Sequence, residues 1–229
     1  SLAIGTASLL VQQGMAAHAL AFTSSHNAAA ERQFRFPNEY GVQKKETTTT
    51  TVSGAGSIVL GRTPQPSAVR AFTLGRIVDW HHQNASDMGI AMAPAALDTL
   101  HAHLAQTNST IDDYDWILTG DLSKAGFGFL CDLLSQEGIH ADSRFNDCGL
   151  MIYDRLTQDV HAGGSGCGCA ASVLCSFILP QIACHRLKNV LFLATGALMS
   201  PTSVQQGESI PGIAHLLHLS DQPNSPEQL

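Results

Sequence analysis

The chain has 229 residues, enough for one large α/β domain or two smaller lobes. Its 12 Lys+Arg against 19 Asp+Glu leave a net charge of −7, with no basic run longer than Lys44-Lys45, which argues against a nucleic-acid partner. With 44% hydrophobic and 14% charged residues, the composition is that of a packed globular protein.

Ser1 to Gln13 has a helical pattern that Gly14 can stop, and AHALAFTSS (Ala17 to Ser25) reads as a buried strand with His26 and Asn27 at its end. The chain opens inside this helix without an initiator Met, so a trimmed sequence is expected. AERQFRFPNEYG (Ala30 to Gly41) reads as a structured surface loop, because Pro37 prevents a long helix. Its aromatics either cover the core or leave Arg32, Arg35 and His26 to face an anionic ligand. TTTTTVSGAGSIVLGR (Thr47 to Arg62) predicts a bend at Ser53 to Gly56 followed by a strand, and Val69 to Trp80 predicts another strand. The polar stretch His81 to Gly89 is a natural boundary.

A second lobe alternates helix and strand. Pro94 suits the first turn of a helix with Leu97, Leu100 and Leu104 inward. Tyr114 to Leu122 predicts a buried strand ending at Thr119, Gly120 and Asp121, with Ser123 capping the next helix. CGLMIYD (Cys148 to Asp154) predicts a strand, followed by HAGGSGCGC (His161 to Cys169) as a glycine-rich passage into a buried helix. Such a passage holds an anion or permits close packing of helix on sheet. NVLFLATGAL (Asn189 to Leu198) and IAHLLHLS (Ile213 to Ser220) are further strands around a polar loop, Ser200 to Gly212. Strands separated by helices predict a mostly parallel sheet.

Gly166 to Cys184 runs about 19 residues without charge, near the length of a membrane span. Pro180, Gln181 and its Ser and Gly residues favour the central helix of a layered protein instead. The six cysteines follow no regular framework and read as reduced thiols of a cytosol-like compartment. Cys167, Cys169 and Cys175 match no common zinc spacing, so no metal is expected there.

TSSHNAAAERQFRFPNEYG, DMGIAMAPAALDTL, DYDWILTGDLSKAG, DCGLMIYDR, HAGGSGCGCAASV and ATGALMSPTSVQQGESIPGIAH together resemble the stage V sporulation protein AD family, a branch of the thiolase-like superfamily. The resemblance runs from about residue 1 to 219. It implies a layered α-β-α-β-α fold of two similar halves, the N-terminal half incomplete. Residues 1–80 are then the remainder of that half, 81–220 the C-terminal half and 221–229 a disordered tail.

The resemblance further implies a part in taking dipicolinic acid, with calcium, into the developing spore, alongside membrane proteins of the same system at the spore inner membrane. A homodimer and no cofactor are expected. In thiolase-like enzymes the nucleophilic cysteine lies several residues ahead of the position of Ser1. Gly120 stands where a catalytic histidine is found, and His161 is the one candidate remnant of a catalytic histidine. The alternative is an acyl-transferring or condensing enzyme. The expected ligand contacts are His26, Asn27, Arg32, Asp121, His161, Gly163, Gly164, Ser165, Ser203 and Gln206, all near strand ends. Other readings stay open: His26 or His161 as a hydrogen-bonded buried histidine, and Asp121 as a turn residue.

Overall fold

The structure is a computed structural model and describes residues 1–34 and 45–222. The elements in order are α1 (Leu2–Gln12), β1 (His18–Ser25), α2 (Asn27–Phe34), β2 (Thr50–Thr51), β3 (Gly54–Gly61), β4 (Ala68–Thr73), α3 (Met88–Thr107), β5 (Trp116–Thr119), α4 (Ser123–Gln136), β6 (Phe145–Asp147), α5 (Cys148–Met151), β7 (Gly164–Ser165), α6 (Cys167–Val173), α7 (Leu179–Ala183), β8 (Asn189–Ala197), α8 (Pro201–Gln205) and β9 (Gly212–Ser220).

The large sheet has the order β4-β9-β8-β5-β6. Strand β5 runs parallel to β6 and β8, whereas β9 is antiparallel to both β8 and β4. The sheet is therefore mixed where a mostly parallel one is predicted. The connection that carries α8, from Leu198 to Pro211, returns β8 to the adjacent β9 without crossing the sheet, and such a return is antiparallel. Period-two alternation sorts the buried residues. Ile117, Leu191, Leu193 and Leu216 pack against α3 and α4. Their neighbours Leu118, Val190, Phe192 and Leu217 pack on the opposite face, against α6 and α7.

A second sheet, β1 with β3, is antiparallel over the full length of both strands. Helices α1 and α6 lie against it on their other side, so the described residues stack as helix, sheet, helix, sheet. The outward face of β1 and β3 carries Leu20, Phe22 and Val59, exposed by 59, 71 and 68%.

Several predicted elements shift. Pro94 is inside α3, not in its first turn. That helix begins at Met88, behind a short turn in which the Asn84 side chain accepts from the Ser86 N–H. Residues 148–154 are not a strand, because Asp147 ends β6 and caps α5 by accepting from the Leu150 N–H. Of Val69 to Trp80 only the part to Thr73 is strand, and Val78 bridges Gly212. Strand β4 joins the large sheet, which therefore recruits chain from before the expected boundary at residue 81.

Ala30 to Phe34, read from sequence as loop, belongs to α2. In the tail, Asp221 is anchored: its N–H donates to the Lys188 carbonyl and its carboxylate meets His185 Nδ1 at 2.9 Å. Residues 223–229 of the expected tail lie outside the described residues.

The long uncharged segment is helical from α6 to α7, with a π turn at Leu174–Ile178 between them. Pro180 has no N–H to give the Ser176 carbonyl, the partner a regular α-helix would assign it, and the widened turn accommodates the mismatch. Leu174, Ile178 and Ile182 are buried against the large sheet, which gives this helix a core role. No helix among the described residues is long and apolar enough to cross a membrane.

Candidate functional site

A cavity of about 270 Å³ opens between the first turns of α1 and α6, the inner side of β1 and β3, and the ends of β5 and β8. That volume is near the lower end for small-molecule sites, roughly 300 Å³ upward. Its walls are chiefly apolar, with Ile4, Ile58, Ala170, Leu174 and Phe192. Among the described residues, polar groups in the lining include Asp121, Thr195, Cys167, Thr23 and Ser1.

Asp121 follows β5 at the point where the chain leaves the sheet. Its carboxylate accepts the Gly166 N–H at 2.8 Å and the Thr195 hydroxyl at 2.9 Å. Burial pushes its pKa up, and these two hydrogen bonds only partly oppose the rise. Asp147 stands at the end of the adjacent β6. It accepts the Thr119 hydroxyl at 2.7 Å and the N–H groups of Leu122 and Ser123, each at 2.9 Å. Burial raises its pKa to about 6, with the charge of Asp121 adding to the rise and the hydrogen bonds opposing it.

The two aspartates hold the glycine-rich loop from two directions. Asp147 fixes the backbone of Ser123, which sits at φ 56°, and the Ser123 hydroxyl donates to the Gly164 carbonyl at 2.6 Å. Ser123 therefore does not cap α4, contrary to the reading from sequence. On its other side the loop pairs as β7 with β2, Thr50 opposite Gly164 and Thr51 opposite Ser165.

Glycine is required here by space. A Cβ on Gly163 would stand 2.5 Å from the Gly149 carbonyl oxygen, and one on Gly168 would collide with Ser25 and the Gly54 carbonyl. Close packing therefore accounts for these two glycines. The Ser25 hydroxyl completes the junction by accepting from the Gly168 N–H at 2.9 Å.

Of the expected ligand contacts, Asp121 is in the cavity wall. Gly163, Gly164 and Ser165 lie just ahead of Gly166, which also lines it. His161 sits at φ 51° with its ring 3.8 Å from Glu46 and 3.7 Å from Asp159, away from the wall. His26 is exposed, and Asn27 is engaged in binding the turn ahead of β3, through Ser53 and the Thr51 carbonyl.

Ser203 and Gln206 belong to the α8 turn, where the Ser203 N–H donates to the capping Ser200. Arg32 falls on α2, and its side chain, like the whole of Arg35, lies outside the described residues. Sequence reasoning missed Thr195 and the apolar walls, since no local signal ties β8 to β1 and β3 across the sheets.

The chemistry available in the cavity is limited. A side chain on Gly120 would press on β8, with its Cβ 3.2 Å from Ala194 Cα. Cys148 and Cys169 are buried with their thiols pushed upward, and burial also raises Cys175 in the wall. The Cys167 thiol donates to the Ser24 carbonyl at 3.2 Å. Among the described residues no cysteine is placed as a nucleophile. His103, hydrogen-bonded between Thr73 and Tyr114, lies in the α3 layer rather than the wall. Among the described residues no group of three or more His, Cys, Asp or Glu is gathered to hold a metal.

Residues 1–220 match the family described as Stage V sporulation protein AD (SpoVAD). The Stage V sporulation protein AD of Bacillus subtilis (strain 168) is 50% identical over 212 residues, 93% of this chain and 62% of that protein. The chain belongs to the stage V sporulation protein AD family.

It spans less than two thirds of that relative's length. Its layered, thiolase-like fold is similar to that of solved condensing enzymes. The tetronic acid condensing enzyme AbyA1 superposes with a TM-score of 0.56 at 15% identity, over 96% of this chain and 64% of that one. The 3-oxoacyl-[acyl-carrier-protein] synthase III of Aquifex aeolicus gives 0.55 at 12%, over 94% and 62%. OleA of Xanthomonas campestris, bound to cerulenin, gives 0.56 at 14%, over 95% and 59%. At such identities the likeness is one of fold.

Proposed function

We propose that this protein is a non-catalytic, dipicolinic acid-binding component of the sporulation machinery that takes dipicolinic acid, with calcium, into the developing spore. Family membership supports the process. The observation that carries the non-catalytic reading is Gly120, which stands where the thiolase-like resemblance places a catalytic histidine and where a Cβ would press on the backbone of β8. A planar aromatic acid suits a slot with chiefly apolar walls and a few polar groups. The proposed contacts centre on Asp121 and the loop Gly163 to Ser165. His26, Asn27, His161, Ser203 and Gln206 do not line the cavity and would reach the ligand by rearrangement of their segments, and Arg32 is kept as a proposed contact. In the cell the protein works as a homodimer beside membrane proteins of the same uptake system, peripherally at the spore inner membrane.

Calorimetric titration with dipicolinate tests this, and absence of heat would refute it. The competing reading is an acyl-transferring or condensing enzyme on the same fold. Incubation with acyl-coenzyme A should leave the protein mass unchanged, whereas a covalent acyl adduct would favour the enzyme.

A further inference from the structure

A carboxylate-lined cavity poses an electrostatic problem for an acidic ligand. Among the described residues, Asp121 is the only charged side chain in the wall, and no cationic side chain balances it there. Its two hydrogen bonds come from a neutral hydroxyl and a backbone N–H. A ligand carboxylate brought beside it meets a like charge in surroundings that screen poorly.

The remaining groups around it do not relieve this. Asp147 lies behind it at the end of β6 and adds a second carboxyl whose titration feels the Asp121 charge. Cys148 on α5 and Cys169 on α6 feel the same field, and both stay protonated thiols. Two carboxyl groups in contact inside a protein commonly share one proton, because both cannot ionise cheaply.

We infer that Asp121 couples ligand binding to a proton: the cavity takes a carboxylate ligand together with one H⁺, held between the ligand and the Asp121 carboxyl. The inference rests on the proposed dipicolinate site and concerns how that site is regulated. The proton comes from solvent, no covalent bond to carbon forms or breaks, and the ligand leaves with deprotonation. Acidity thus favours loading and alkalinity favours release. The raised pKa of Asp121 is in keeping with this, since burial already favours its protonated form.

The test is calorimetric titration of the protein with dipicolinate between pH 6 and 8, in buffers of different ionisation enthalpy. Uptake of about one proton is expected, with affinity falling about tenfold per pH unit once the site is ionised. Binding with no proton uptake and a flat pH profile overturns the inference and leaves the binding site standing, whereas no heat at any pH overturns both.

Two variants assign the proton. Thr195→Val removes a hydrogen bond that favours the ionised carboxylate, so the decline in affinity should move to higher pH, and an unmoved profile counts against Asp121. In Asp121→Asn the proton uptake should vanish. Uptake that persists there places the proton on another group, such as Asp147, and overturns the assignment.

Discussion

At the scale of single residues, Asp147 is the polar centre of the fold. It is 1% exposed and accepts four hydrogen bonds, from Thr119, Leu122, Ser123 and Leu150, which join β5, α4, β6 and α5 at one point. An amide in its place turns one acceptor into a donor facing N–H groups. Asp147→Asn should therefore cost about 3 kcal/mol of stability, the scale of losing hydrogen bonds to a charged buried group. Urea unfolding at pH 7.5 measures this, and a loss below about 0.5 kcal/mol would show that the carboxylate is dispensable.

This residue also marks the limit of the sequence reading. Asp121 stands out after the strand WILTG, because an acidic residue at the end of an apolar run is a local signal. Asp147 does not, because the apolar residues that follow it continue the strand pattern although the backbone has already turned into α5. Ser123 misleads similarly. A serine before a helix suggests a cap, yet its hydroxyl is claimed by Gly164, a partner 41 residues away.

At the scale of elements, α3 and β9 meet through two histidines whose rings are 6.0 Å apart. His103 bonds Thr73 of β4 and Tyr114, and His218 packs edge-on against Tyr114 while bonding Asn189 of β8. Burial lowers both pKa values from 6.5 to about 4, and for His218 the neighbouring His103 and Arg70 contribute further. The unfolded chain then binds protons near pH 6.5 and the folded one only near pH 4. Stability from this pair is complete above pH 6.5 and is lost as pH falls toward 4.

Asp147, with its raised pKa, has the opposite slope below about pH 6, so the comparison must be differential. Between pH 7 and pH 5 the wild type should lose more urea resistance than a His103→Gln/His218→Gln variant. Equal losses would discount the pair. The helix α3 itself was legible from its leucine stripe. Its start was not, because the run MGIAMAPAA owes its helical state to close packing on α4, with Gly89 against Gly126. Such a contact has no signature in local periodicity.

At the scale of the whole molecule, the alternation of apolar strands predicts layering, and the thiolase-like resemblance supplies its order. What neither supplies is which strands share a sheet. The pairing of β4 with β9 joins residues about 150 positions apart, and hydrophobic pattern is silent on partners at that distance. The outward face of β1 and β3 is the open side of the stack, with three large apolar side chains in solvent on adjacent strands. Contiguous exposed apolar surface drives association. A chain of this sequence should bind a hydrophobic dye and show concentration-dependent mass by light scattering. Leu20→Thr/Phe22→Thr/Val59→Thr should reduce both, and a monodisperse, dye-silent wild type would contradict the expectation.

The position of the cavity has a mechanical consequence. Its floor is Phe192 and Ala194 of the large sheet, and its far wall is Ala21 and Ile58 of the small one. A molecule seated there would act as mortar between two layers that otherwise touch through α1 and α6. Occupancy and cohesion of the layers would then be one linked equilibrium, each strengthening the other.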